Sequence, residues 1–199
     1  MVVEAAATIF STGWASGVNS YATVLVLSLM GRFGVDGVPD GLDQNWVLIL
    51  AGVMFTVEFV TDKVPFLDSA WDSAHTFIRP VIAAVLGFSF AGENGVDGIQ
   101  EALGAGGSGV TALASHAVKA SLRIGVNTSP EPASNILVSL AEDGVVGVVT
   151  FLAIQNPELA AMIAAVLLAA GTCLIILLWK KVIRPAWIGL RSRRARPSG

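Results

Sequence analysis

Hydrophobic residues fall along this chain in six runs separated by short polar segments, and the run lengths predict membrane-spanning helices. A helix needs about 20 apolar residues to cross the hydrocarbon core. Residues 5–31 carry no charge, which places a first span near 10–31. A second covers about 46–61, with Trp46 as its interfacial anchor. A weaker third lies near 77–91 and starts at Arg79-Pro80, proline being tolerated in a first helical turn. The fourth, 103–122, is rich in Gly and Ala and is expected to pack against protein rather than lipid. The fifth, 134–154, opens on Ser134 or Asn135 as a helix cap, and the sixth, 159–179, is the clearest of all. The expected fold class is all-α: a polytopic membrane protein of about six transmembrane helices. One transmembrane domain would cover 1–182, with a basic tail over 183–199.

Composition agrees. The chain has 199 residues, 54% hydrophobic and only 14% charged, whereas roughly a quarter of a soluble domain is charged. Mean hydropathy is +0.71. The single cysteine, Cys173, lies in an apolar run, so no disulfide framework and no cysteine metal cluster is expected. Glu4 stands before the first apolar run with no basic segment ahead of it, which argues against a cleavable signal peptide.

The distribution of charge sets orientation. Lys180, Lys181, Arg184, Arg191, Arg193, Arg194 and Arg196 crowd the last twenty positions, so the tail is expected in the cytoplasm, against anionic lipid. No nucleic-acid partner is expected. Counting back, 62–79 and 119–133 fall inside, whereas 33–45 and 92–101 fall outside and carry acids. Arg32, at an outer end, is the exception. Six spans would leave both termini on the cytoplasmic side of a bacterial inner membrane.

Residues 17–22 followed by Gly31-Arg32-Phe33-Gly34 resemble residues 109–114 followed by Leu122-Arg123-Ile124-Gly125. The match raises the expectation of two three-helix repeats, 10–91 and 103–179. An odd number of spans per unit would invert the second, a plan that recurs in secondary transporters.

Three charged constellations stand inside or beside these spans. Glu142-Asp143 lies near the middle of span five. Glu58 and Asp62 lie one helical turn apart in span two, followed by Lys63. An ionised carboxylate in hydrocarbon costs at least ~2.5 kcal/mol, so such residues face the bundle interior, pair, or stay protonated. The third constellation is the segment 63–79, which reads as a short amphipathic helix on the cytoplasmic side. Asp68, Asp72, His75 and Arg79 share one stripe, and Phe66, Ala70, Ala74 and Phe77 form an apolar one. A facing cationic stripe exists in His116, Lys119 and Arg123. It leads into a proline-broken polar stretch holding Asn127, Ser129, Glu131, Ser134 and Asn135. Irregular polar backbone beside membrane spans lines a cavity or sits buried in protein. A plainer reading is a structural ion-pair network locking helices together, with His75 and His116 as hydrogen-bonding partners rather than ligands.

Taken together, the residues from Glu58 to Pro65, Asp68 to Asp72, His75, Arg79-Pro80, His116, Lys119 to Arg123, Asn127 to Pro132, Ser134-Asn135 and Glu142-Asp143 resemble a bacterial membrane family called domain of unknown function 4126. The resemblance covers most of 13–160 and implies a multi-span fold, with no substrate or mechanism attached. Glu58, Asp62 and Lys63 also resemble the Glu-x-Gly-Asp-Lys/Arg motif of small cation exchangers, although the acids here are four residues apart rather than three and no Gly precedes Asp62.

The function expected is a small transporter or channel for a cation, proton or divalent metal, or for a proton-coupled solute. Glu58, Asp62, Glu142 and Asp143 would bind ion or proton. Asp68, Asp72, His75 and His116 would form a vestibule or hold a divalent metal ion, and Lys63, Arg79, Lys119 and Arg123 would balance charge. Hard oxygen ligands would favour Mg²⁺, Ca²⁺ or Mn²⁺, with the histidines leaving room for zinc. The competing readings are a lipid scramblase or accessory subunit, and an enzyme acting on a phospholipid at the cytoplasmic boundary. A homo-oligomer is a further expectation, with Gly104, Gly106 and Gly109 as points of close helix approach.

Overall fold

The computed structural model describes residues 2–64, 67–93, 98–127 and 132–183. Among them the chain forms six α-helices: α1 (Val2–Arg32), α2 (Asn45–Thr61), α3 (Leu67–Glu93), α4 (Gly98–Asn127), α5 (Pro132–Gln155) and α6 (Pro157–Leu178), with a π-helical turn at Trp179–Ile183. Three helical stretches, Leu67–Glu93, Ala133–Gln155 and Pro157–Lys181, are long and apolar enough to cross a membrane. α2 is apolar but short. α1 packs against each of the other five helices, and its Ser, Thr and Asn side chains are buried there rather than turned to lipid.

The first span departs most from expectation. α1 is not one straight rod: Asn19 has extended backbone angles (φ −151°, ψ 98°) inside it. In a straight helix residues 9 and 27 would lie about 27 Å apart, at ~1.5 Å per residue. Instead Ile9 and Leu27 pack on the same cluster with Leu86 and Phe90 at the far end of α3. The Thr8 hydroxyl donates to Ala153 O at 3.1 Å, and Gly37, just past the other end of α1, lies against Ile154. The two arms, 2–18 and 20–32, therefore fold back on each other. Their tip, at Asn19, reaches into the bundle.

The fold-back replaces the single straight span expected at 10–31. The start of α1 lies at the end of the bundle that holds 33–44 and the close of α3 and α5. The last turn of α6 lies at the other end. An inverted repeat is not shown. Gly13 packs on Ser108, Gly17 on Ala112 and Ser115, and Val18 beside Lys119, so the first arm of α1 runs parallel to α4.

The separate amphipathic helix is likewise corrected: 67–79 continues without interruption into the third span through Pro80. Its faces are inside out for a surface helix. Asp68, Asp72, His75 and Arg79 are buried, while Ala70, Ala74 and Phe77 point outward. With lipid as solvent, the apolar stripe belongs outside and the charged one inside. Gly104 and Gly109 bring α4 against Gly87 and Pro80 of α3 in the same chain, and Gly106 faces open space.

Candidate functional site: a buried charge network at the tip of a broken helix

The turn at Asn19 follows from its side chain. Asn19 Oδ1 accepts from the backbone N–H of Ala22 at 2.9 Å, which caps the second arm, and extended angles are those of an N-cap residue. The end of the first arm leaves carbonyls that continue no helix. Cationic side chains take two of them: Arg79 Nη1 donates to Gly17 O at 3.2 Å and Lys119 Nζ to Val18 O at 3.1 Å. Positive charge at the C-terminal end of a helix also complements its dipole.

From these two contacts the network spreads across four helices. Arg79 Nη2 lies 2.8 Å from Glu58 Oε1 and 3.0 Å from Asp72 Oδ1. The latter contact lacks hydrogen-bond alignment. Lys119 Nζ lies 2.9 Å from Asp62 Oδ2, 3.5 Å from Glu58 Oε1 and 3.7 Å from Glu142 Oε2. Arg123 donates to Glu142 Oε2 through Nη2 at 2.6 Å and Nε at 3.1 Å. Its Nη1 reaches Asn135 Oδ1 at 2.8 Å and Asp62 O at 3.0 Å, and Asp68 Oδ2 lies 3.9 Å away. Asn135 also donates to Asp62 O.

The histidines sit at the edge of this network as hydrogen-bond relays. Arg79 Nη1, which can only donate, lies 2.7 Å from His116 Nδ1, so that nitrogen accepts and the proton sits on Nε2, facing Asp72 O and Thr76 Oγ1. His75 takes the opposite tautomer: Nδ1 donates to Trp71 O, and Nε2 accepts from the Tyr21 hydroxyl at 2.9 Å. The His116 ring is therefore neutral in this arrangement.

Sequence-chosen residues from α2, α3, α4 and α5 thus come together: Glu58, Asp62, Asp68, Asp72, His75, Arg79, His116, Lys119, Arg123, Asn135 and Glu142. Asp143 turns away from Glu142 toward the α1 tip, where it accepts from Asn19 Nδ2 at 2.9 Å. Lys63 caps its own helix at Phe59 O, lies over the Phe59 ring and reaches Ser139 Oγ at 3.3 Å. Ser134 is half-buried near the start of α5. Ser129 and Glu131 lie outside the described residues, as do the side chain of Asn127 and the tail from 184 onward.

A metal site is not assembled: among the described residues no three His, Cys, Asp or Glu side chains are grouped so as to hold an ion. The physical reason is that guanidinium and ammonium groups occupy the spaces between the carboxylates, and His116 already faces Arg79. The sequence reading passed over Asn19, Tyr21, Gly17 and Val18 as site residues. Polar side chains at 11, 12, 16, 19, 20 and 23 inside one uncharged run were the available signal.

Charge does not balance. Among the described residues four buried carboxylates (Glu58, Asp62, Asp68 and Asp72) and the half-buried Glu142 meet three cations (Arg79, Lys119 and Arg123). Adding Asp143 and Lys63 at the edge leaves the same excess. Glu58 Oε2, Asp62 Oδ1 and Asp143 Oδ2 have no hydrogen-bond partner among the described residues.

Asn19 holds both the break and Asp143. Asn19→Ala is expected to remove a cap worth about 1 kcal/mol and to leave a buried carboxylate oxygen unpaired at about 1–3 kcal/mol. Asn19→Ser keeps a capping oxygen and should lose less. Unfolding of the two variants in detergent checks this, and equal losses would mean the cap carries nothing.

A broken helix with its tip among buried ionic side chains defines a class: all-α bundles that enclose a polar site, here with three described helices long and apolar enough to cross a membrane. The family model described as domain of unknown function (DUF4126) matches residues 6–180, and the chain belongs to that family. No curated protein and no solved structure matches it.

Proposed function

We propose that this chain is a small proton-coupled transporter of the bacterial inner membrane, with Glu142 and Asp143 as the groups that take up and release the proton. One observation carries the reading: the α1 tip ends among five carboxylates and three cations. Irregular backbone at membrane depth is tolerated where it is buried in protein or lines a cavity, and transporters place substrate and ion sites at such breaks. An excess of two acids over cations, counted among the described residues, costs several kcal/mol in this setting, and protons or a bound cation would complete the cluster. Protons are favoured over a divalent metal because Arg79, Lys119 and Arg123 stand where a metal would need its ligands.

In this reading α2 to α6 cross the bilayer and α1 enters and leaves from one side. The end bearing Lys63, Lys180 and Lys181 is cytoplasmic, and the end bearing Asp36, Asp40, Asp43 and Glu93 is outside. Glu142 answers to Arg123 and Lys119, and Asp143 to the α1 tip through Asn19. Loss or gain of a proton at either acid changes what holds the broken helix, which couples occupancy to the position of α1.

The test is a flux assay in liposomes carrying pH- and divalent-sensitive dyes. Wild type is expected to dissipate a proton gradient, and folded Glu142→Gln/Asp143→Asn is expected to lose that flux. Equal flux in the two proteins would remove these acids from the pathway. Absence of flux for every ion tested, from folded wild type, would move the function to lipid handling or an accessory role.

A further inference from the structure

Because α1 turns back at Asn19, it does not fill the half of the bundle that lies toward the end of α6. The space shows as a cavity of about 410 Å³ walled by α4, α5 and α6, with Trp14 and Val18 of α1 at its floor. Small-molecule sites run from about 300 to 1,000 Å³. Its lining is almost wholly apolar: Val118, Leu122, Val145 and Leu167 are typical, and among the described residues Lys119 and Glu142 are the charged ones that reach it. Exposed residues on two walls, Ala141 and Leu174, connect it to the bundle surface, where lipid lies.

The two charges differ in what they can offer. Lys119 is only 3% exposed, and its Nζ is already placed on Val18 O, Asp62 and Glu58. Glu142 keeps 15% of its side chain accessible, the largest share among the paired acids, and only its Oε2 faces Arg123 and Lys119. Among the described residues the network behind it has more acids than bases. An anionic head group would therefore meet a carboxylate with no free cation, whereas a cationic one would complete the charge. Trp14 on the floor is an aromatic side chain of the kind that attracts organic cations.

We propose that this cleft is the substrate site and that its ligand is a lipophilic organic cation, with apolar bulk against α4, α5 and α6 and positive charge at Glu142. The proposal rests on the proton-coupled reading above, because the cation and a proton compete for the same carboxylate. Binding of the cation releases that proton to solvent and leaves the charge of the cluster unchanged.

Tetraphenylphosphonium is the probe, titrated by calorimetry against the protein in zwitterionic nanodiscs, with empty nanodiscs as baseline and with buffers of different ionisation enthalpy to count protons. Uncharged triphenylphosphine oxide serves as competitor. Expected are saturable binding with proton release, no competition by the oxide, and at least about a tenfold rise in Kd, or ~1.4 kcal/mol, in Glu142→Gln and Ala141→Trp. Ala141 is exposed at the mouth, so a tryptophan there blocks the cleft without entering the ion network and decides the matter if Glu142→Gln does not fold. Unchanged affinity in Ala141→Trp, or equal competition by the oxide, overturns the proposal, the latter marking a groove for lipid chains. Cleft binding with no proton release supports the site and fails the proton-coupled reading. Proton flux in wild type with no tetraphenylphosphonium binding overturns the site alone.

Discussion

Arg79→Ala is expected to destabilise the protein by about 3–5 kcal/mol, the usual cost of breaking a buried ion pair by removing one partner. Arg79 is fully buried, and its two terminal nitrogens join three elements: α2 through Glu58, α1 through Gly17 O, and α4 through His116. Truncation leaves Glu58 and Asp72 facing each other across an empty space and Gly17 O without a donor. Arg79→Lys should rescue little, because one ammonium cannot reach both Gly17 O and Glu58 in the planar fork that the guanidinium provides. Glu58→Gln/Asp72→Asn/Arg79→Met removes all three charges and should recover much of the loss, since replacing a buried ionic group costs far less than halving it. Unfolding in detergent, followed by loss of helical signal, measures each variant. A loss below about 0.5 kcal/mol for Arg79→Ala, the size of an ordinary surface substitution, would show that the network does not hold the bundle together.

Legibility of the fold in the sequence followed what hydropathy measures. Each apolar run became a helix, with boundaries within a few residues for α2, α5 and α6, because lipid-facing helices need continuous hydrophobic surface on the outside. The stripes Asp68-Asp72-His75-Arg79 and His116-Lys119-Arg123 were also legible, since helical spacing alone puts each set on one face. Which way those faces point was not, because periodicity does not distinguish a charged face turned to water from one turned to a bundle interior. Nor did hydropathy reveal the fold-back of α1. One asparagine in a run of uncharged residues scarcely alters mean hydropathy, yet its side chain can replace a helix hydrogen bond. The residual signal was length: 27 uncharged residues at 5–31 exceed what one crossing requires.

Gly17→Ala is expected to be the most damaging single-methyl change among the described glycines. A Cβ there would sit 1.9 Å from Ser115 Oγ, 2.2 Å from Ala112 O and 2.7 Å from Ala112 Cα. Real carbon atoms do not approach so closely, and two of the three obstacles are backbone, so rotation of a side chain gives no relief. The first arm of α1 must move off α4, and that motion draws Gly17 O from Arg79 and Val18 O from Lys119. Overpacking ordinarily costs about 1–3 kcal/mol, to which the lost contacts of two buried cations add. Ser115→Ala removes the nearest atom but not Ala112 O, so Gly17→Ala/Ser115→Ala should recover only a minor part. Gly144 and Gly147 on α5 are the contrast: a Cβ at either meets nothing within 4 Å. There alanine should be neutral or stabilising by about 0.5–1 kcal/mol, because a helix interior prefers it to glycine. A Gly17→Ala protein as stable as Gly144→Ala would mean that α1 and α4 are not in contact at the tip, and would undo the placement of the broken helix against the charge network.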